Sequence, residues 1–332
     1  MNNITENNHG TGGIKVSRNE MVASFGEVVA DSPVFDWNKG FDIRTKVNLS
    51  LKDQNGSGSC GGQASSYLTE AVSGTESSAR SIYAKCFVPG GGSSEQGLMN
   101  TIMNIGVSTE KEVTSYENGQ PPSEVFMETD YPAQPIVLRG TRPVYVNISF
   151  DEMAVAILQN KGIVIGISGQ NNGTWLSNSP VAPNLPPHDH SFWNHWVYAG
   201  FAGMVDGKKK IGFKNSWGNV GDNGWQFLDE SWTPYIWCAW SMLYQPKGKP
   251  KHTFTRQLKY GQSSKDIISL QDVLRYEGLF NNVSTGYFGL LTAGAVMSFQ
   301  KKYNVASISD INSLQGKQVG PLTLAKLNQL YK

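Results

Sequence analysis

The order in which two hydrophobic periodicities appear along this chain limits its fold more than any other feature. Between Val34 and about Gln245 the first half carries helical stretches. The second half carries short runs, many rich in β-branched or aromatic residues: Gly162 to Ser168, Trp196 to Ala202, Lys209 to Lys214, Trp225 to Leu228 and Cys238 to Tyr244. Helices first and strands later predict an α+β domain. The stretch PKGKPKH, Pro246 to His252, then combines Pro, Gly and three lysines, which disfavours packing and reads as an exposed linker. At 332 residues the chain suits two domains. The expected division is a tail over 1–32, a large α+β domain over 33–245, a linker over 246–253 and a small helical domain over 254–332.

Charge excludes some functions. With 28 Lys and Arg against 27 Asp and Glu, the formal charge of +1 provides no field for nucleic acid or an anionic membrane. The opening MNNITENNHGTGG has no Lys or Arg before Lys15 and no apolar segment, so nothing resembles a secretory signal. The longest candidate membrane run, IVIGI at 163–167, is far too short to span a bilayer, and a soluble protein is expected. Within the tail, Met21, Val22, Phe25 and Val29 share one face of a short possible helix. Three cysteines, Cys60, Cys86 and Cys238, cannot form a disulfide framework, which favours free thiols in a reducing compartment.

One thiol stands out. Asp53 to Cys60, DQNGSGSC, leads directly into GQASSYLTEAVS and stops at Gly74, so Ser59 is placed to cap a helix whose first turn contains Cys60. There the positive end of the helix dipole favours thiolate, the nucleophilic form, and lowers the thiol pKa. The bland alternative is a buried structural cysteine. Flanking glycines favour close approach by another backbone or a ligand. A thiolate nucleophile needs a base or cation. His9 lies in the tail and His252 in the linker, while His188 and His190 sit in the Pro-rich loop PPHDHS; His195, in WNHWVYAGF, opens an apolar strand that can hold its ring. The spacing of His188, His190 and His195 matches no strong zinc pattern, and neither a metal nor another cofactor is expected.

Twenty residues beyond His195 comes KNSWGNVGDNGW. With it, the ordered set Gln54, Gly58-Ser59-Cys60, His195 and Asn215-Ser216-Trp217-Gly218 resembles the papain family of cysteine peptidases. His195 follows Cys60 by 135 positions, inside the roughly 130–150 residues typical of such enzymes. The resemblance implies a two-lobed catalytic domain, one lobe helical and one barrel-like. It implies attack by Cys60 as thiolate, His195 as its ion-pair partner and proton donor, and Asn215 orienting the imidazole. It also implies Gln54 and the Cys60 N–H as oxyanion donors, with Trp217 shielding the His195 to Asn215 bond. The plainer alternatives are a surface amide for Gln54 and a core aromatic for Trp217. Gly90-Gly91-Gly92 resembles the family's glycine-rich edge for substrate backbone, so Gly91 and Gly92 join the candidate site, although an ordinary surface loop accounts for the run equally well. Two departures stand: Ser57 where the family often has Cys, and Gly61 where it has an aromatic, which leaves the helix packing open. Residues 1–32 are shorter than the family's usual inhibitory propeptide, so they are a tail or a short pro-segment, and activity is controlled in another way or the tail is trimmed.

In the last 79 residues, Asp266 to Glu277, about Thr292 to Tyr303, and the stretch from Pro321 each place apolar residues on one helical face, predicting a three-helix bundle. Gly289-Leu290-Leu291-Thr292 is echoed by Gly320-Pro321-Leu322-Thr323. This region resembles small peptidoglycan-binding modules of bacterial and phage wall enzymes; a generic bundle is the rival reading. The expected function is a cysteine endopeptidase acting on proteins or peptides and held at the bacterial cell wall, with peptidoglycan as a partner. The alternative is a lytic enzyme cutting peptidoglycan stem peptides, and a silent binding protein is the third reading.

Overall fold

The computed structural model describes residues 10–15, 34–170, 174–176, 193–244, 249–280 and 284–332. The possible helix over Met21 to Val29, His9, His188, His190 and the opening of the linker lie outside these residues. The chain divides into two compact units. One comprises Phe35–Met242 with residues 10–15; the other comprises Leu243–Lys332, to which Val34 also belongs.

The first unit opens with β1 (Gly13–Ile14) and β2 (Phe41–Asp42). Helices α1 (Cys60–Ser73) and α2 (Arg80–Tyr83) precede β3 (Ser93–Ser94), α3 (Glu95–Asn104) and α4 (Glu124–Glu128). Then come β4 (Gly140–Tyr145), α5 (Phe150–Asn160), β5 (Ile163–Gly169), β6 (Trp193–Val205), β7 (Lys208–Lys214), β8 (Trp225–Asp229) and β9 (Ile236–Tyr244). A seven-stranded sheet runs in the order β4-β9-β5-β6-β7-β8, with β2 on β6. The pairings β2–β6, β5–β6, β5–β9, β6–β7 and β7–β8 are antiparallel. Helices before strands thus describes this unit, with α5 and the short β1 to β3 as additions. The IVIGI run opens β5, every residue of which is buried, and no helix among the described residues is long and apolar enough to cross a membrane.

Helix α1 ends as its sequence dictates: Gly74 adopts φ 69°, the left-handed cap that glycine reaches without a Cβ penalty. Its start departs from expectation. Ser59 makes no side-chain cap bond; its Oγ instead lies 2.7 Å from Ser57 Oγ, and its carbonyl accepts from Gln63 N–H at 3.0 Å. The turn that carries Cys60 is therefore tied to the preceding loop. Gly61 also acquires a reason: a Cβ there would stand 2.2 Å from Ser93 Oγ and 2.9 Å from Leu98 Cδ1. Neighbouring side chains fill the space an aromatic after the cysteine would need.

The second unit contains α6 (Lys265–Tyr276), α7 (Leu290–Tyr303), α8 (Ile308–Leu314) and α9 (Pro321–Tyr331), with a small antiparallel ladder of β10 (Leu258–Lys259) on β11 (Gln318–Val319). The three expected helices are present within two residues of their predicted bounds. Helix α8 and the ladder were not expected; α8 is only seven residues long, and of its apolar residues Ile308, Ile311 and Leu314 only Ile311 is buried. The core of this unit is drawn from its own residues, among them Phe254, Leu274, Phe288, Phe299 and Leu327. The repeated Gly-x-Leu-Thr has a structural counterpart. Gln271 Nε2 donates to Thr292 Oγ1 at 2.8 Å, and Gln300 Nε2 donates to Thr323 Oγ1 at 3.1 Å. Each buried glutamine thus ties its helix to the first turn of a later helix.

Candidate active site

Antiparallel register brings the expected residues together. Helix α1 packs on β6, which presents His195, while β7 pairs with β6 through Tyr198 and Lys214. The chain leaving β7 therefore runs back alongside β6, and Asn215, the next residue, meets His195. His195 Nε2 lies 2.9 Å from Asn215 Oδ1, and both residues are fully buried. Asn215 is held on both sides of its amide: Oδ1 also accepts from Ser216 N–H at 2.8 Å, and Nδ2 donates to Gln226 Oε1 at 3.1 Å. An amide oxygen can only accept, so the imidazole Nε2 carries the hydrogen in this arrangement. Trp217 stacks on the imidazole with ring centroids 4.6 Å apart and planes at 27°, and is itself 2% exposed. It forms a cluster with Trp175 and Trp193, with ring centroids 5.9 Å and 5.6 Å from its own.

Cys60 joins this group through the backbone next to His195. Its thiol is fully buried, and that burial pushes its pKa up to about 12. Backbone hydrogen bonds from Trp196, Gly12 and Gly61 pull it down, and the negative charge of Glu124 raises it again. This corrects the expectation of a depressed thiol pKa. Loss of hydration outweighs the helix terminus when the sulfur is covered. Glu124 was not foreseen: its Oε2 accepts from Gly58 N–H and its Oε1 from Tyr83 Oη, while Tyr83 Oη accepts from Gly92 N–H at 2.8 Å.

Gln54 is buried and oriented. Its Oε1 accepts from Ser216 Oγ at 2.6 Å, and its Nε2 donates to the carbonyls of Ser57 at 2.7 Å and Gly10 at 2.9 Å. A surface amide is thereby ruled out. Of the glycine run, Gly92 lies against Gly12 and Gly91 faces Glu124. The backbone edge that forms a ladder is the next pair, Ser93–Ser94, which takes β1 in parallel. The parts played by Gln226 and Ser216 were not anticipated from the motifs. The alternation of Trp225-Gln226-Phe227-Leu228, which puts a buried amide in a strand, is the signal for the first.

Among the described residues no group of three or more His, Cys, Asp or Glu side chains is arranged to hold a metal ion. No protein-family profile matches the chain, and no curated protein matches it in sequence. Its fold matches solved structures of papain-family cysteine proteases. Xylellain, a cysteine protease from Xylella fastidiosa, superposes with a TM-score of 0.57 at 19% identity, over 71% of this chain and 96% of xylellain. Digestive procathepsin L 3 of Tenebrio molitor larval midgut gives 0.53 at 16%, over 71% and 76% of the two chains. Procathepsin B S9 from Trypanosoma congolense gives 0.52 at 12%, over 71% and 87%. The first unit thus has a papain-like fold.

Proposed function

We propose that this chain is a cysteine endopeptidase that hydrolyses peptide bonds through a thioester on Cys60. The observation that supports this most is the backbone hydrogen bond from Trp196 to the Cys60 sulfur, which brings the sulfur to the backbone of the residue after His195, whose ring bonds Asn215 and stacks on Trp217. With Nε2 committed to Asn215, Nδ1 is the nitrogen that takes the thiol proton. The thiolate attacks the scissile carbonyl carbon, and His195 returns the proton to the leaving amine. Water, deprotonated by His195, then attacks the thioester, releasing the acid and restoring the thiol. Gln54 Nε2 and the Cys60 N–H are the donors assigned to the oxyanion. Trp217 shields the pair, and Gly91 and Gly92 border the substrate path.

The second unit is assigned to peptidoglycan, with the Gln271–Thr292 and Gln300–Thr323 repeat as its supporting feature. It would hold the enzyme at the bacterial cell envelope and raise its local concentration there. Stem peptides of the wall are the alternative substrate, favoured by the same unit. Casein cleavage measured against peptide release from purified peptidoglycan separates the two. Cys60→Ala abolishes both; hydrolysis retained in that variant rejects the assigned nucleophile.

A further inference from the structure

The turn that carries Cys60 has no covalent tie, because all three cysteines are free. One carboxylate binds it to the glycine run instead. Glu124, the first residue of α4, accepts from Gly58 N–H through Oε2 and from Tyr83 Oη through Oε1 at 2.5 Å. Tyr83 Oη in turn accepts from Gly92 N–H at 2.8 Å. The bonds therefore run without a break from the residue two before the nucleophile to the last glycine of the run.

Each bond has one possible direction. Tyr83 carries a single proton and gives it to Glu124, so its oxygen is left to accept from Gly92, and both Glu124 oxygens only accept, as those of an ionised carboxylate do. Burial, and then the bond to Glu124, hold the Tyr83 hydroxyl protonated well above its ordinary range, which keeps this donor in place. Packing closes around the same atoms. A Cβ on Gly58 would stand 2.7 Å from Gly92 N and 3.1 Å from Tyr83 Oη, and one on Gly62 would stand 2.9 Å from Tyr83 Cβ. The nucleophile turn and the glycine run approach this closely because neither carries a side chain at the contact.

Glu124 has a cost for the thiol. Burial is the main reason the Cys60 pKa is raised, and the Glu124 charge adds to it. The other titratable groups facing Glu124 are Tyr83 and, one turn along α4, Glu128, whose own pKa is raised by burial and by the Glu124 charge. A neutral amide at 124 would spare the thiol this charge, but its single oxygen could not accept both bonds as the carboxylate does.

We propose that Glu124 is a positioning residue that holds the nucleophile turn against the glycine run, fixing Cys60 and its N–H relative to the edge along which substrate lies. Its effect on catalysis rests on the peptidase reading; the tie itself does not.

The test compares Glu124→Ala, Glu124→Gln and Tyr83→Phe in the full chain. Three quantities are read: amide hydrogen exchange of the peptides carrying Gly58 and Gly92, the pH profile of Cys60 alkylation by iodoacetamide, and kcat/KM for labelled casein. Glu124→Ala is expected to speed exchange at Gly58 and Gly92 by roughly tenfold to a hundredfold and to lower kcat/KM by a similar factor, with Glu124→Gln recovering part of both. Cys60 labelling should begin at lower pH in Glu124→Gln, which removes the charge, and keep the wild-type profile in Tyr83→Phe, which leaves it. Matching profiles in these two variants would put the carboxylate too far from the nucleophile to position it. Unchanged exchange at Gly58 and Gly92 in Glu124→Ala overturns the tie, and faster exchange with unchanged kcat/KM overturns the positioning role. Should Glu124→Ala exchange rapidly throughout the first unit, it has unfolded, and Tyr83→Phe decides: faster exchange confined to the Gly92 peptide supports the tie, and unchanged exchange rejects it. The expected exchange pattern in a protein that never cuts casein leaves the tie standing and removes the peptidase reading.

Discussion

Asn215 Oδ1 bonds the His195 ring, and its Nδ2 donates to Gln226 Oε1. Replacing Gln226 with Leu leaves a buried amide N–H unpaired, at a cost of about 1–3 kcal/mol, and lets Asn215 turn away from the imidazole. Activity is expected to fall by roughly tenfold to a hundredfold in kcat with little change in KM, and Gln226→Glu is expected to shift the pH profile; an unchanged kcat rejects the positioning role. Cys60 also makes a prediction about stability. Its pKa in the folded chain is about 12, above the ordinary value of 9.0. The folded state keeps its proton where the unfolded chain has lost it, so the contribution is whole below pH 9 and declines as pH rises toward 12. Denaturant titrations of wild type and Cys60→Ala should therefore diverge between these values, with wild type losing stability relative to the variant. Parallel curves would mean that the thiol is not buried in solution.

Helix α1 and the paired glutamines illustrate how an element depends on atoms far from it in sequence. The position and end of α1 follow from its residues, yet its glycines are explained only by what packs on them. Ser93 and Leu98 approach Gly61, and the Ala79 carbonyl would lie 2.7 Å from a Cβ on Gly62. In the second unit, Gln271 has four partners: Nε2 donates to Thr285 Oγ1, Tyr287 O and Thr292 Oγ1, and Oε1 accepts from Gly286 N–H. Gln271→Leu strands these groups, and a loss of about 1–3 kcal/mol lowers the melting temperature of a unit this size by roughly 5–15 °C. A scan of the full chain in which only one transition moves would assign the loss to this unit.

Two units with separate cores predict two separable functions. The buried cluster running from Phe254 to Tyr331 is complete without the first unit, so residues 249–332 are expected to fold alone with a cooperative melt. The isolated unit is expected to sediment with purified peptidoglycan, whereas a chain ending at residue 248 cuts casein at the wild-type rate and stays in the supernatant. Loss of casein cleavage in the shortened chain would make the second unit part of the catalytic machinery. Equal sedimentation of both pieces would remove its assignment to the wall.

Periodicity, turn residues and motif order were enough to identify α1, five strands of the sheet, three helices of the second unit and the candidate residues Gln54, Cys60, His195, Asn215 and Trp217. The helices and strands are local signals, carried by residues within a turn or a strand of one another, and the candidate residues stood out by the order of short local motifs along the chain. Tertiary structure decided what state those residues are in. Gln226 reaches Asn215, Glu124 reaches Gly58, and Gly10 to Lys15 return across the nucleophile from some fifty positions upstream. Solvation of a thiol depends on every atom around it, whichever part of the chain supplies it. A helix terminus readable in the sequence favours thiolate, but burial of the sulfur in the folded chain turns the balance toward the neutral thiol.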